Sequence, residues 1–129
     1  MSEKLISEWL KKAEADLRSA VRETNVTEST NFDLICYLSQ QCSEKYLKAF
    51  LVSKKTEPRR THNLVSLLED CLKFDSSFEN IREACTLVSG ADLFRYPLDN
   101  ATEEEAKLTL EHSTIIREFV RTKIGIQIL

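Results

Sequence analysis

The segment from residue 30 to residue 54 constrains the fold more than any other part of this chain. Its apolar residues recur at helical spacing on two sides of one helix, and a polar stripe runs between them. At about 100° per residue, Tyr37, Gln41, Glu44 and Lys48 fall within an arc of roughly 60°. Because apolar residues flank this stripe, we expect the helix to be central and covered on more than one side. The polar groups then need partners within the fold or in a second subunit.

Two interpretations of the stripe follow from this pattern. The stripe lines a groove or a two-fold interface, which is the interpretation that the apolar flanks favour. The plainer alternative is that Glu44 and Lys48 form an exposed ion pair at i,i+4 spacing.

The rest of the chain also has helical periodicity, and it contains only two glycines and two prolines. So few chain-breaking residues argue against a turn-rich β protein and favour long helices with short connections. No strand-like alternation, internal repeat or linker occurs. The sequence therefore predicts one all-α domain over residues 1–129, an antiparallel up-and-down bundle of about five helices. The predicted helices cover residues 2–24, 30–54, 61–73, 76–89 and 102–123.

Several helix ends carry capping signals. Thr30 with Asp33 and Ser76 with Glu79 have the spacing of a capping box, and Thr102 is predicted to cap the last helix. We expect residues 91–101 to be a non-helical connection and the apolar tail after the last helix to fray or to pack on a partner. Gly90 is a stop signal for the fourth helix.

Composition limits the possible functions. The net charge is −3, so no overall basic field holds nucleic acid, and any such contact must be local. No apolar run reaches the roughly 18 residues of a membrane span, and the N-terminus lacks a signal-peptide core, so we expect a cytoplasmic protein without membrane association. Four cysteines without C-x-x-C spacing are expected to be small buried side chains, with no metal and no cofactor. They are Cys36, Cys42, Cys71 and Cys85.

Four motifs occur in a family-specific order. They are Trp-Leu-Lys-Lys-Ala-Glu-Ala-Asp-Leu at 9–17, Gln-Gln-x-x-Glu-Lys-x-x-Lys-Ala at 40–49, Thr-His-Asn-Leu at 61–64, and Arg-Tyr-Pro at 95–97 followed by Asp99. Together they resemble the HEPN family (higher eukaryotes and prokaryotes nucleotide-binding domain). The resemblance implies a helical fold, a homodimer and a nucleotide ligand. It also implies an alternative role as partner of a minimal nucleotidyltransferase, in a toxin–antitoxin or two-part transferase system.

A basic run near the third predicted helix is the first candidate binding site. Arg59 and Arg60 end this run, and free backbone N–H groups at residues 61–63 would favour an anion. We predict that Arg59, Arg60 and His62 contact a nucleotide or similar phosphate-bearing anion, with Arg95 completing the site. The alternative is that His62 packs on the bundle, the two arginines are solvated and Arg95 pairs with a carboxylate.

The family resemblance does not extend to a nuclease motif. HEPN ribonucleases use Arg-x(4–6)-His, in which the histidine performs acid–base chemistry and the arginine steadies the phosphate. The corresponding positions before His62 are 55–57 (Lys, Thr, Glu), and those before His112 are 105–107 (Glu, Ala, Lys). Lysine lacks the planar fork of arginine, so Lys107 is a poor substitute. We therefore expect no catalytic residue and no RNA binding without a partner; a ribonuclease with an atypical motif is the remaining alternative.

Overall fold

The described part of the molecule is an all-α helical bundle. The structure is a computed structural model that describes the backbone of residues 2–125, with the side chains of Ser2, Asp92, Leu93 and Arg95 outside the description. Five α-helices and two 3-10 helices occur in this range, with no β-strand. The α-helices are Ser2–Thr24 (α1), Phe32–Ser53 (α2), Leu64–Leu72 (α3), Arg82–Ser89 (α4) and Glu103–Ile124 (α5). The 3-10 helices are Ser76–Ile81 and Gly90–Arg95.

Helix α2 is central, as its apolar flanks predicted. It packs most extensively against α1 and α5, and also against α3, α4 and the second 3-10 helix. Fourteen of its 22 residues are buried within this one chain. A second subunit is therefore not required to cover α2. The largest fully buried side chains are Leu10, Ile35, Tyr46, Leu47, Phe50, Leu51, Leu64, Leu67, Leu68, Phe78, Ile81 and Ile116.

The predicted capping box at the start of α2 is wrong. Asn31 is the N-cap, and its side-chain oxygen accepts a hydrogen bond from the Leu34 N–H at 2.9 Å. The Asp33 carboxylate instead accepts from the Ala101 N–H at 2.7 Å, which ties α2 to the connection before α5. The Thr30 hydroxyl donates to the Val26 carbonyl. Asparagine is as good a cap as threonine, so local spacing alone did not select the right residue.

Helix α3 starts later than predicted, at Leu64 rather than at residue 61. Asn63 caps it by accepting from the Ser66 N–H at 3.0 Å. Residues 61–63 therefore precede the helix, and the prediction that their N–H groups form a helix-terminal anion site is wrong.

The other boundaries agree with the sequence in part. Asp75, not Ser76, caps the segment before α4, which forms a 3-10 helix instead of a regular α-helical start, and Glu79 pairs with Arg82. Part of the connection predicted to be non-helical is also a 3-10 helix. The Thr102 cap of α5 is confirmed and forms a full capping box with Glu105. The predicted apolar tail lies mostly at 126–129, outside the described residues.

The four cysteines are buried and unpaired, as predicted. Burial raises the pKa of Cys42 and of Cys85 to about 12, so both thiols are unreactive at neutral pH. The described residues contain no cluster of His, Cys, Asp and Glu side chains placed to hold a metal ion. None of the described helices has the length and hydropathy that crossing a membrane requires.

A partly buried polar joint connects the three longest helices. Glu14 of α1 accepts hydrogen bonds from the Tyr46 hydroxyl of α2 and from Arg117 of α5, whose Nε and Nη2 lie 2.7 and 3.0 Å from its oxygens. Burial raises the pKa of Glu14, but the hydrogen bonds from Arg117 and Tyr46 and the charges of Arg117 and Arg121 outweigh it, so the pKa is lowered. The joint therefore stabilises the fold while Glu14 is ionised.

We predict that Glu14→Gln lowers the free energy of unfolding by about 1.5–3 kcal/mol at neutral pH, the range for hydrogen bonds to charged groups. A lowered pKa means that this stability is present above the ordinary glutamate pKa and is lost as the pH falls below it. The variant should therefore lose less stability than wild type between about pH 5 and pH 3. Urea unfolding at each pH measures both effects.

Glu118→Gln is the matched control, because Glu118 also contacts Arg117 but its side chain is 62% exposed. We expect a change below about 1 kcal/mol, as for other exposed ion pairs. Equal losses in the two variants would contradict the role assigned to Glu14.

Candidate functional site

The polar stripe of α2 divides into an exposed half and a buried half. Tyr37 is 41% exposed and Gln41 is half-buried, whereas Glu44 and Lys48 are 3% and 7% exposed. The Lys48 Nζ lies 3.0 Å from a Glu44 oxygen. The exposed ion pair that was the plainer alternative is therefore wrong, since this pair is enclosed within one chain.

Glu44 joins two of the sequence motifs. One carboxylate oxygen accepts from Lys48, and the other lies 2.9 Å from the Nδ1 of His62. One turn earlier on α2, the Gln40 side-chain amide donates to the His62 carbonyl at 2.9 Å. The central-helix motif thus holds both the ring and the backbone of the histidine in the Thr-His-Asn-Leu motif. His62 precedes α3 and is held against α2 by these contacts, while its side chain remains 68% exposed.

This contact defines what the His62 ring can do. An ionised Glu44 only accepts hydrogen bonds, so Nδ1 of His62 carries the proton that it donates. The other ring nitrogen, Nε2, is then an acceptor when the imidazole is neutral and a donor when it is protonated. A protonated His62 is a suitable ligand for phosphate.

His62 lines a groove between α1, α2 and the connection from α2 to α3. The groove has a volume of about 450 Å³, and its lining residues are Leu5, Trp9, Lys48, Glu57, Pro58, Arg59, Arg60 and His62. Trp9 is the single tryptophan of the chain, and the Lys48 Nζ lies 5.6 Å from the centre of its ring. Leu5 is half exposed. The groove therefore combines an apolar, aromatic wall on α1 with a polar wall on the connection.

A tight turn brings that connection back over α2. Lys55 has φ 59°, in the left-handed region, and the Thr56 N–H returns to the Leu51 carbonyl at 3.0 Å. Pro58 follows, and its ring fixes its own φ just before the two arginines. The groove is lined by three cationic side chains, those of Lys48, Arg59 and Arg60, and by one carboxylate, that of Glu57.

The two arginines are not equivalent. Arg59 donates from Nε to Asp70 at 2.9 Å and from Nη2 to the Ser66 carbonyl at 3.1 Å, which fixes it against α3. Arg60 is exposed and makes no hydrogen bond or ion pair with the described residues. Arg60 is therefore the cation best able to accept a new anionic partner, and Arg59 shapes the groove beside it.

The predicted site residues are thus partly brought together. Arg59, Arg60, His62 and Lys48 line one groove, whereas Tyr37 and Gln41 are not among its lining residues. The Arg95 side chain lies outside the described residues. Leu5 and Trp9 were not predicted as site residues, because apolar residues at helical spacing indicate only the side of a helix that packs on the core. The opening-helix motif, which begins at Trp9, was the available signal.

Comparisons with known proteins identify the family. The family model for the HEPN domain matches residues 6–123. The chain belongs to the HEPN family. The structure is similar to TT1696 from Thermus thermophilus, with a TM-score of 0.78 and 22% identity over 92% of this chain and 97% of that one. It is also similar to ST0689, an archaeal HEPN homologue, with a TM-score of 0.72 and 24% identity over the same shares of the two chains. No curated protein matches the chain significantly.

These comparisons support the HEPN fold for the described helices. At 22% and 24% identity, a similar structure does not show that this chain shares a ligand or an activity.

We predict that Lys48→Met is strongly destabilising, because it leaves the buried Glu44 carboxylate with the His62 ring as its remaining side-chain partner. Removing one member of a buried ion pair typically costs about 3–5 kcal/mol. Chemical denaturation of purified wild type and variant measures this loss.

Lys107→Met on α5 is the matched control. Lys107 and Glu103 are also at i,i+4 spacing, but they are 4.0 Å apart and their side chains are 74% and 69% exposed. We expect a loss below about 1 kcal/mol. A Lys48→Met loss no larger than that of the control would contradict the importance of the Glu44 cluster.

Proposed function

We propose that this HEPN protein binds a nucleotide in the groove between α1 and the connection that follows α2. Arg60 and the imidazole of His62 hold the phosphate, and the Trp9 ring stacks on the base. The observation that carries the proposal is the juxtaposition of an uncompensated guanidinium, an imidazole and an indole on one groove. These three groups match the anionic, polar and aromatic parts of a nucleotide.

The expected affinity is moderate. Each hydrogen bond between a charged side chain and phosphate contributes roughly 1.5–3 kcal/mol, and aromatic stacking on a base about 1–3 kcal/mol. Micromolar affinity corresponds to about 8 kcal/mol, and ordering the ligand and the side chains costs part of the gain. Two or three phosphate contacts together with stacking are therefore needed to reach it.

The proposal assigns binding without catalysis. Neither histidine completes the ribonuclease motif, and the His112 ring is bonded to the Leu108 carbonyl of its own helix at 2.9 Å. We predict that purified protein leaves RNA intact and that His62→Asn and His112→Asn do not change RNA stability. Cleavage that depends on either histidine, followed on a labelled transcript, would instead support the atypical ribonuclease.

Nucleotide binding can be tested on Arg60, the arginine of the groove that has no partner among the described residues. We expect calorimetric titration with ATP or GTP to show binding by wild type, and Arg60→Ala to weaken it about tenfold or more, the loss of one charge-assisted contact. Binding should also weaken with added salt, because Arg60 is exposed.

Arg22→Ala removes the same charge from an exposed position on α1 that does not line the groove, and should bind as wild type does. Absence of binding by wild type, or equal binding by Arg60→Ala, would contradict the proposed site.

We also propose the homodimer that the family resemblance implies. Leu34 and Tyr37 are 36% and 41% exposed at i,i+3 spacing on α2, which offers a small apolar surface beside Gln41. Sedimentation equilibrium at tens of micromolar tests the proposal, and Tyr37→Glu should shift a dimer to monomer. A monomeric wild type would contradict it. The nucleotidyltransferase partner stays a prediction of the family resemblance.

A further inference from the structure

A second cavity along α1 shares part of its lining with the groove. This cavity has a volume of about 350 Å³ and shares Leu5 and Trp9 with the first; its other lining residues are Glu8, Lys12 and Lys45. Leu5, Trp9 and Lys12 are at i, i+4 and i+7, so they follow one another along a single face of the helix. Trp9 therefore lines both a cavity with a cationic group on the connection and a cavity with a cationic group on α1.

Lys12 is the uncompensated charge of the second cavity. Glu8 is bonded to Lys11 at 3.4 Å, and Lys45 to Asp16 at 2.5 Å. Lys12 is exposed and makes no hydrogen bond or ion pair with the described residues. It thus corresponds to Arg60 in the first cavity, and Trp9 lines both cavities.

We infer that the site takes a nucleotide unit that carries phosphate on both the 5′ and the 3′ oxygen of its ribose. This inference rests on the proposed nucleotide site. With the base stacked on Trp9, one phosphate is held by Arg60 and the other by Lys12. A nucleoside with a single phosphate engages only one of these cations. Two ligands present this chemistry, a free nucleoside 3′,5′-bisphosphate and an interior nucleotide of a single strand.

The tryptophan provides a direct readout. Because Trp9 is the only tryptophan, its fluorescence reports occupation of this site alone. Adenosine 5′-monophosphate, adenosine 3′-monophosphate and adenosine 3′,5′-bisphosphate are titrated into the full chain. We expect the bisphosphate to bind about tenfold more tightly than the better monophosphate, the gain from one further charge-assisted contact.

Two lysine variants separate the second phosphate from the first. Lys12→Ala should bring the affinity for the bisphosphate down to that of the monophosphate that Arg60 holds, and leave that monophosphate unchanged. Lys107→Ala removes the same charge from α5 and should keep the full gain. Both lysines are exposed, so we expect both variants to fold as wild type does, and a change in affinity then reports the lost charge.

The outcomes are distinct. Binding of a monophosphate without any gain from the second phosphate, or a gain that survives Lys12→Ala, overturns this inference and leaves the nucleotide site standing. No quenching by any of the three compounds overturns both. A single-stranded adenylate trinucleotide distinguishes the two sources: tighter, Lys12-dependent binding than the bisphosphate identifies a strand, and weaker binding identifies the free bisphosphate.

Discussion

The buried carboxylate of Glu44 is the contact on which the candidate site depends. A charge with 3% exposure requires charged or hydrogen-bonding partners, and this one has Lys48 at 3.0 Å and His62 at 2.9 Å. Lys48 belongs to the same helix, whereas His62 reaches the carboxylate from the connection before α3. The requirement to satisfy one buried charge thus holds that connection against α2 and places its basic residues at the edge of the groove.

The opposite wall depends on the position of α1. The Glu14 joint and the Lys45–Asp16 pair fix α1 against α2 and α5, so that Trp9 faces the groove while it still packs on the main core. A ring held in this way is available for stacking at a small entropic cost. The site therefore combines two walls, each held in place by its own polar contacts.

The sequence predicted those parts of the fold and site that depend on local periodicity. The two apolar flanks of the second helix placed it at the centre, and the short distance along the chain between Arg60 and His62 placed them together. The start of α3 was missed because Asn63 competes with Thr61 as a cap, and both are acceptable locally. The engagement of Arg59 by Asp70, and the approach of Trp9 to the basic connection, depend on tertiary packing that helical spacing does not report.

The tautomer of His62 tests the central contact most directly. Two-dimensional ¹H–¹⁵N spectra of the imidazole nitrogens, with His112→Asn used to assign the two rings, show which nitrogen carries the proton in the neutral ring. Donation to an ionised Glu44 predicts a protonated Nδ1 and a bare Nε2 in wild type, and a changed Nδ1 signal in Glu44→Gln. A protonated Nε2 with a bare Nδ1, unaffected by Glu44→Gln, would contradict the account.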